Sequence, residues 1–416
     1  MKKGLIIIFV VFSLTGLSQS FQHYFPDTLQ KTNIAFQGNF FYGSDGMSNQ
    51  FMNKFIVGGK IQDGEKQKAY KQLKPNNTFG ADLNTSIQAE IPFDTLFGKT
   101  SLSLVVGVEM VEHVDVNFTE DLFKLTFEGN KQFAGEFAEL GGVGFNYFSY
   151  QQLNIGFINY KKQHGKIAKE GIQFSILQAK EHMAIKIPRG TLFTEELGKE
   201  IELDVDYIYN SSDTANRSFF AFNGYGVSTD LFSEFYLKNN DKITVQVNDL
   251  GFIQWNQQSI QLEADSIFNY DGVDIDNIFD LNDSIVSSIS RDSLIELISS
   301  KKNKQAYAIA LPTSFNVFYT KQLNSKIKMN LGVQHKILAN YFPMIYGNMY
   351  YYFNPTFTVQ THFSFGGYGL FNTGLAVAKS FNHKIQFYLG SNNVLAFILP
   401  KATYSGSGFV GLKMYF

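Results

Sequence analysis

Hydrophobic and polar positions alternate through most of this chain, most plainly in its closing stretch, Tyr404 to Phe416. Counting back in twos from Phe416 gives Met414, Leu412 and Val410, all apolar; the other parity gives Tyr415, Lys413, Gly411 and Phe409. Successive side chains of a strand point to opposite faces, so one face suits hydrocarbon and the other a mixed interior. The pattern recurs at 99–112. Leu102, Leu104, Val106, Val108 and Met110 share one face, and Ser101, Ser103, Val105, Gly107 and Glu109 the other. With 78–92 this segment reads as a hairpin turning around Pro92, Asp94 and Gly98. Further strands are expected at 33–43, 51–60, 136–148, 151–161, 170–178, 180–188, 200–209, 219–237, 241–254 and 258–270. Lys238-Asn239-Asn240-Asp241 supplies a tight turn between two of them. Later strands fall near 305–321, 325–338, 342–353, 356–364, 367–380, 383–391 and 405–416.

The period changes in three places. Gly64 to Leu73 is charged and reads as an exposed loop or short helix. Thr119 to Phe127 reads as a short helix capped at Thr119, with Glu120 and Asp121 in its first turn. In 273–304, Ile285 with Ile289 and Leu294 with Ile298 stand at i,i+4 spacing, so one or two amphipathic helices are expected in an acidic loop or plug insert. The pattern predicts an all-β antiparallel transmembrane outer-membrane β-barrel of about 14 strands, with 12 and 16 as near alternatives, carrying short helical inserts.

Composition supports that class. Aromatic residues make up 16%, with 43 Phe and 22 Tyr, against 17% charged; an ordinary soluble domain carries roughly 25% charged residues. Gly is frequent (35) and Pro scarce (8), as lipid-facing strands with aromatic girdles require. No run of about 18 apolar residues occurs, so a membrane helix is not expected. Met-Lys-Lys, an apolar Gly4 to Leu14 and the small residues Thr15, Gly16, Ser18 and Ser20 read as a signal peptide over 1–20, cleaved after Ser18 or Ser20. That leaves 21–416 as a single barrel. Cysteine is absent, which excludes disulfides and a lipid-carrying Cys. The formal charge of −2 gives no basis for nucleic-acid binding.

Candidate chemistry is thin. The seven His (His23, His113, His164, His182, His335, His362, His383) show no metal-ligand spacing, and no Gly-x-Ser-x-Gly elbow occurs. Ser364, two residues after His362, and Ser314 are formally available to a barrel hydrolase. The Asp274 to Asp283 carboxylates fail the calcium-loop pattern at Ile278 and read as solubilising or capping groups. No catalytic, cofactor or metal residue is therefore assigned. Tyr341, Phe342, Tyr346, Tyr350, Tyr351, Tyr352 and Phe353 crowd one strand, so some must enter the lumen.

Asp249-Leu250-Gly251-Phe252-Ile253-Gln254-Trp255 ends a long strand and holds the single Trp. Trp255 suits an interfacial girdle and Gly251 a bulge at the rim. This string, the later Tyr270-Asp271-Gly272-Val273-Asp274-Ile275 and the Gly129-Asn130 step resemble a family of uncharacterised outer-membrane barrels from Bacteroidota, a domain of unknown function. The chain departs from that family where Thr32-Asn33-Ile34-Ala35 stands in place of an Asn-Pro-Ala opening, and it has Tyr270 at the aromatic of the later element. The resemblance implies an outer-membrane barrel and carries no site residue. Gly411, Met414 and Phe416 likewise resemble the C-terminal targeting strand of such barrels, although Phe409 stands where a polar residue is usual. The expected function is a passive channel or transporter for a small molecule, an apolar one included, loosely similar to fatty-acid-transporter-like barrels. The alternative is a structural or partner-binding subunit of an envelope or secretion assembly. Expected partners are outer-membrane lipid, the barrel-assembly machinery through the last strand, and a protein docking on 273–304.

Overall fold

A computed structural model describes residues 24–25, 31–95, 98, 101–198, 200–271, 303–337, 340–382 and 384–416. The expected signal peptide, 273–302 of the expected insert, the Asp274 to Asp283 carboxylates, His23 and His383 lie outside the described residues.

Nineteen strands follow in order: β1 Asn33–Ser44, β2 Asn76–Pro92, β3 Leu102–Thr119, β4 Phe137–Glu139, β5 Val143–Gln163, β6 Lys166–Thr194, β7 Glu200–Ser211, β8 Gly224–Tyr236, β9 Lys242–Trp255, β10 Ile260–Asp271, β11 Asn303–Lys304, β12 Ala308–Ala310, β13 Ser314–Gln322, β14 Ile327–Lys336, β15 Phe342–Asn354, β16 Phe357–Gly367, β17 Phe371–Phe381, β18 Ile385–Ser391 and β19 Ser405–Tyr415. Fourteen of them close a ring: β1, β2, β3, β5, β6, β8, β9, β13 and then β14 to β19, each antiparallel to the next. β19 returns to β1 in register from Asn33↔Tyr415 to Gly43↔Ser405. Closure leaves no edge strand in the ring, which is the condition a sheet must meet inside hydrocarbon.

The two ends differ. At one, short segments join the strands (164–165, 237–241, 323–326, 355–356), and Asn33 meets Tyr415. At the other lie the long connections 45–75, 120–142, 195–223 and 256–313. Between the ends the outward parity is apolar and exposed: Val108, Ile155, Ile176, Val227, Phe252, Leu331, Phe363 and Leu389 all present bare side chains. β3 and β19 obey the expected alternation. Val105, His113 and Asp115 point in and are buried, Val108 points out half exposed, and Met414 and Phe416 point out at the end of β19.

Several expected elements are corrected. Residues 51–60 form no strand; α1 spans Asn49–Val57, with Phe51 and Met52 buried. The apolar pairs Phe51-Met52 and Phe55-Ile56 stand at helical spacing, which a short apolar run leaves ambiguous. α2, Asp63–Tyr70, follows. α3, Glu120–Glu128, forms as expected, and Thr119 Oγ1 accepts the Leu122 N–H at 3.1 Å. Phe123 and Phe127 of α3 pack on Phe51 and on Phe118 of β3, with ring centroids 4.5 to 6.1 Å apart, on the long-loop end of the β2–β3 wall. α4, Leu395–Ile398, sits between β18 and β19.

The expected 136–148 divides, its start forming β4 and its remainder merging with 151–161 into β5 (21 residues), while 170–178 and 180–188 merge into β6 (29 residues); the β5–β6 pairing slips register once, at Ser149/Tyr150. The stretch 305–321 divides into β12 and β13, Pro312 standing between them without a backbone N–H to give a ladder. Finally, 200–209 and 258–270 leave the meander. β7 pairs with the far half of β6 and with all of β10, and β4 pairs there too, making a side sheet at the long-loop end. One face of it buries Val205, Tyr207, Tyr209, Ile260 and Leu262. The other carries Asp204, Asp206 and Asp265 around Arg189, whose guanidinium donates to the three carboxylates at 2.9 to 3.2 Å.

Candidate functional site

The inward parity of the ring is mostly polar, and four groups of side chains divide the lumen. The first surrounds a cavity of about 360 Å³. Its lining runs from Asn33, Glu90, Glu234 and Lys413 near the short-turn end to His113, Lys336 and Ser314 toward the long loops. Small inward residues, Ala35, Ser86 and Gly156 among them, leave the space. Its carboxylates include Glu109 from β3, Asp230 from β8 and Asp249 from β9. Gln152 Nε2 donates to Glu109 at 3.1 Å and Gln173 Nε2 to Asp230 at 3.1 Å; the Asp249 backbone N–H donates to Asp230 at 2.8 Å.

A bulge places Asp249 there. The β8–β9 register slips between Thr229 and Leu231, and Asp249 takes a left-handed φ of 58°. Two β9 residues then face one β8 residue, and both Asn248 and Asp249 line the cavity. The same bulge corrects the expectation for Trp255. Before it, Thr244, Gln246 and Asn248 point inward; after it, the parity is reversed and Ile253 and Trp255 point inward, fully buried. Trp255 is therefore no girdle residue. It stacks on His182 at 5.4 Å, and His182 Nδ1 lies 2.6 Å from the Tyr307 hydroxyl. The expected bulge at Gly251 sits instead at Asp249. Gly251 answers a different need, because a Cβ there would lie 2.1 Å from the Val227 carbonyl oxygen.

Above the cavity Lys336 Nζ donates to both Asp82 oxygens at 2.6 Å, and His113 Nδ1 stands 2.8 Å from the same carboxylate. The rings of Tyr341 and Tyr368 cross this group edge to face at 5.1 Å. Gly80 gives the Tyr368 ring its seat: a Cβ at Gly80 would fall 2.2 Å from it. To one side Tyr24 is buried against Tyr350 and Tyr388, its hydroxyl donating to Gln360 and its carbonyl accepting from Thr358 at 2.6 Å. Of the crowded aromatic strand, Tyr341, Tyr346 and Tyr350 are buried and Phe342 and Phe353 exposed.

The hydrolase candidates are not brought together. His362 Nδ1 lies 2.8 Å from Asn348 Oδ1, Ser364 Oγ accepts from Asn372 at 3.2 Å, and Ser314 Oγ accepts from Asn248 at 3.2 Å. Among the described residues no group of His, Asp and Glu is arranged to hold a metal ion, and no helix is long and apolar enough to cross a membrane. The carboxylate group escaped the sequence reading. Alternation puts Glu109 on the mixed face, but its meeting with Asp230 and Asp249 depends on ring closure and on the bulge.

The fold and lumen define a closed, antiparallel 14-stranded β-barrel. The chain belongs to the family of unknown function DUF5723, which it matches over residues 27–392. None of the curated proteins matches it. Among solved structures it is similar to the Pseudomonas putida toluene transporter TodX, at 7% identity and a TM-score of 0.43, covering 94% of this chain and 91% of that one. The Ralstonia pickettii toluene transporter TbuX compares at 8% identity and 0.44 (94% and 90%), and a Pseudomonas aeruginosa FadL homologue at 7% and 0.42 (92% and 90%). The barrel assignment rests on the strand pairings themselves.

Proposed function

We propose that this protein is an outer-membrane channel or transporter that lets a small molecule enter its lumen passively. The observation that carries the reading is the cavity of about 360 Å³ enclosed by the ring, within the size range of small-molecule sites. The bare apolar outer band, the short turns at one end and the long loops at the other support placement in an outer membrane. On this reading bilayer lipid covers the band, and β19 with the exposed Phe416 is the segment offered to the barrel-assembly machinery. The wall of the cavity is mixed, with Glu109, Asp230 and Gln152 beside Val105, Tyr150, Phe318 and Phe409, and admits an apolar cargo as well as a polar one. Purified protein in lipid vesicles tests the reading by stopped-flow light scattering. Small polar solutes should enter faster than into protein-free vesicles; equal rates would overturn it.

One observation favours the second reading, a partner-binding subunit of an envelope assembly. The side sheet holds Asp204, Asp206 and Asp265 on an exposed face away from the ring. A stoichiometric partner that co-purifies with the chain, and is lost when those three residues become Asn, would carry it.

A further inference from the structure

We propose that the lumen cavity binds small organic cations, amines or guanidines, between Glu109, Asp230 and Asp249. The purpose of the site rests on the channel reading above; the binding itself does not. Two other acids of the cavity wall are ion-paired. Asp82 is held by Lys336 at 2.6 Å and Glu234 by Lys242 at 2.6 Å. Among the described residues no Lys, Arg or His lies within ion-pair distance of Glu109, Asp230 or Asp249, and the nearby Lys336 is engaged with Asp82.

What these three receive is neutral: an amide N–H from Gln152, one from Gln173 and a backbone N–H. A carboxylate offers about four lone-pair sites, so most of their accepting capacity stays directed at the cavity. A second observation points the same way. Asn154 and Thr244 line the cavity, each only 3% exposed, and neither Asn154 Oδ1 nor Thr244 Oγ1 finds a partner among the described residues. A buried polar atom left unpaired is costly, and an amide oxygen beside three carboxylates calls for a donor.

The wall thus presents acceptors in excess and three carboxyl groups that no basic side chain pairs, although Lys336 and Lys413 line the same cavity. A neutral polyol supplies donors and leaves the charge. A bare metal ion needs several oxygens converging on one point, and among the described residues none do. An ammonium or guanidinium group supplies donors and charge together.

Calorimetry on the detergent-purified barrel tests this with 1,4-diaminobutane against 1,4-butanediol, equal in length and uncharged. The diamine should bind at least tenfold more tightly than the diol. The combined Glu109→Gln, Asp230→Asn, Asp249→Asn variant should lose at least tenfold for the diamine, and Asn154→Ala several-fold. The combined variant removes like charges, so it should still fold, as circular dichroism would show; should it not, Glu109→Gln alone carries the test. Equal affinity for diol and diamine, or unchanged diamine binding by the folded variant, overturns the proposal. Diamine binding without solute entry into vesicles upholds the site and removes the channel reading; entry of neutral solutes without diamine binding does the reverse.

Discussion

Asp249 turns the far end of β9 over by adopting φ 58°, and with it every side chain as far as Trp255. A strand read from its sequence alone has one parity throughout. Trp255 at an odd position, after an inward even series, therefore reads as outward-facing, and the girdle expectation was sound for an unbroken strand. What the sequence could not show is that one residue is inserted. The ring of Trp255 is fully buried, so its fluorescence in vesicles should be unaffected by brominated lipids. Strong quenching would restore the girdle placement. Gly251 lies within the reversed segment. Gly251→Val puts a branched side chain where even a Cβ would be 2.1 Å from the Val227 carbonyl, and should cost about 1–3 kcal/mol or more, read as a lower urea midpoint for refolding into vesicles.

Elements were legible in proportion to how far their partners were local. The β2–β3 hairpin, the β8–β9 turn and the Thr119-capped helix follow from residues within a few positions of one another, and each was placed within a few residues. The α1 segment reads as a strand because Phe51, Met52, Phe55 and Ile56 are too few to separate two periods. β7 and β10 read as strands of the barrel wall because alternation says which face is apolar, not which neighbour covers it; their pairing spans the whole β8–β9 hairpin. The corner between α1 and α2 has its own pH dependence. The Lys54 ammonium beside Glu65, with the Gln62 N–H donating at 2.9 Å, holds the Glu65 carboxyl below the usual carboxylate range. A depressed folded-state value means stabilisation that is present above the ordinary carboxylate range and is lost as pH falls through the folded value. Hydrogen exchange in 49–70, corrected for intrinsic rates, should therefore speed up below about pH 4, and Glu65→Gln should remove the difference between pH 7 and pH 4. Identical pH responses in the two proteins would rule this out.

At the scale of the molecule, class and strand number were legible because they are sums over many weak alternations. The lumen was not, because its contents are set by which strands face one another across the ring. The outer band permits a direct comparison. Ile176 lies mid-wall on β6 with an exposed side chain, and Leu197 lies in the long connection after β6, also exposed. Ile176→Arg should lower folding free energy in vesicles by about 2–4 kcal/mol, whereas Leu197→Arg should stay within about 0.5 kcal/mol. Equal small effects would mean that hydrocarbon does not surround the ring.

The seam between β1 and β19 also dictates an order of events. Asn33 to Gly43 find their partners in β19, the other end of the strand order, so until that pairing forms both strands offer raw hydrogen-bonding margins to whatever they meet. Maturation is therefore all-or-nothing at this seam, and the cell must keep an unclosed, sticky ribbon out of trouble until the two strands meet.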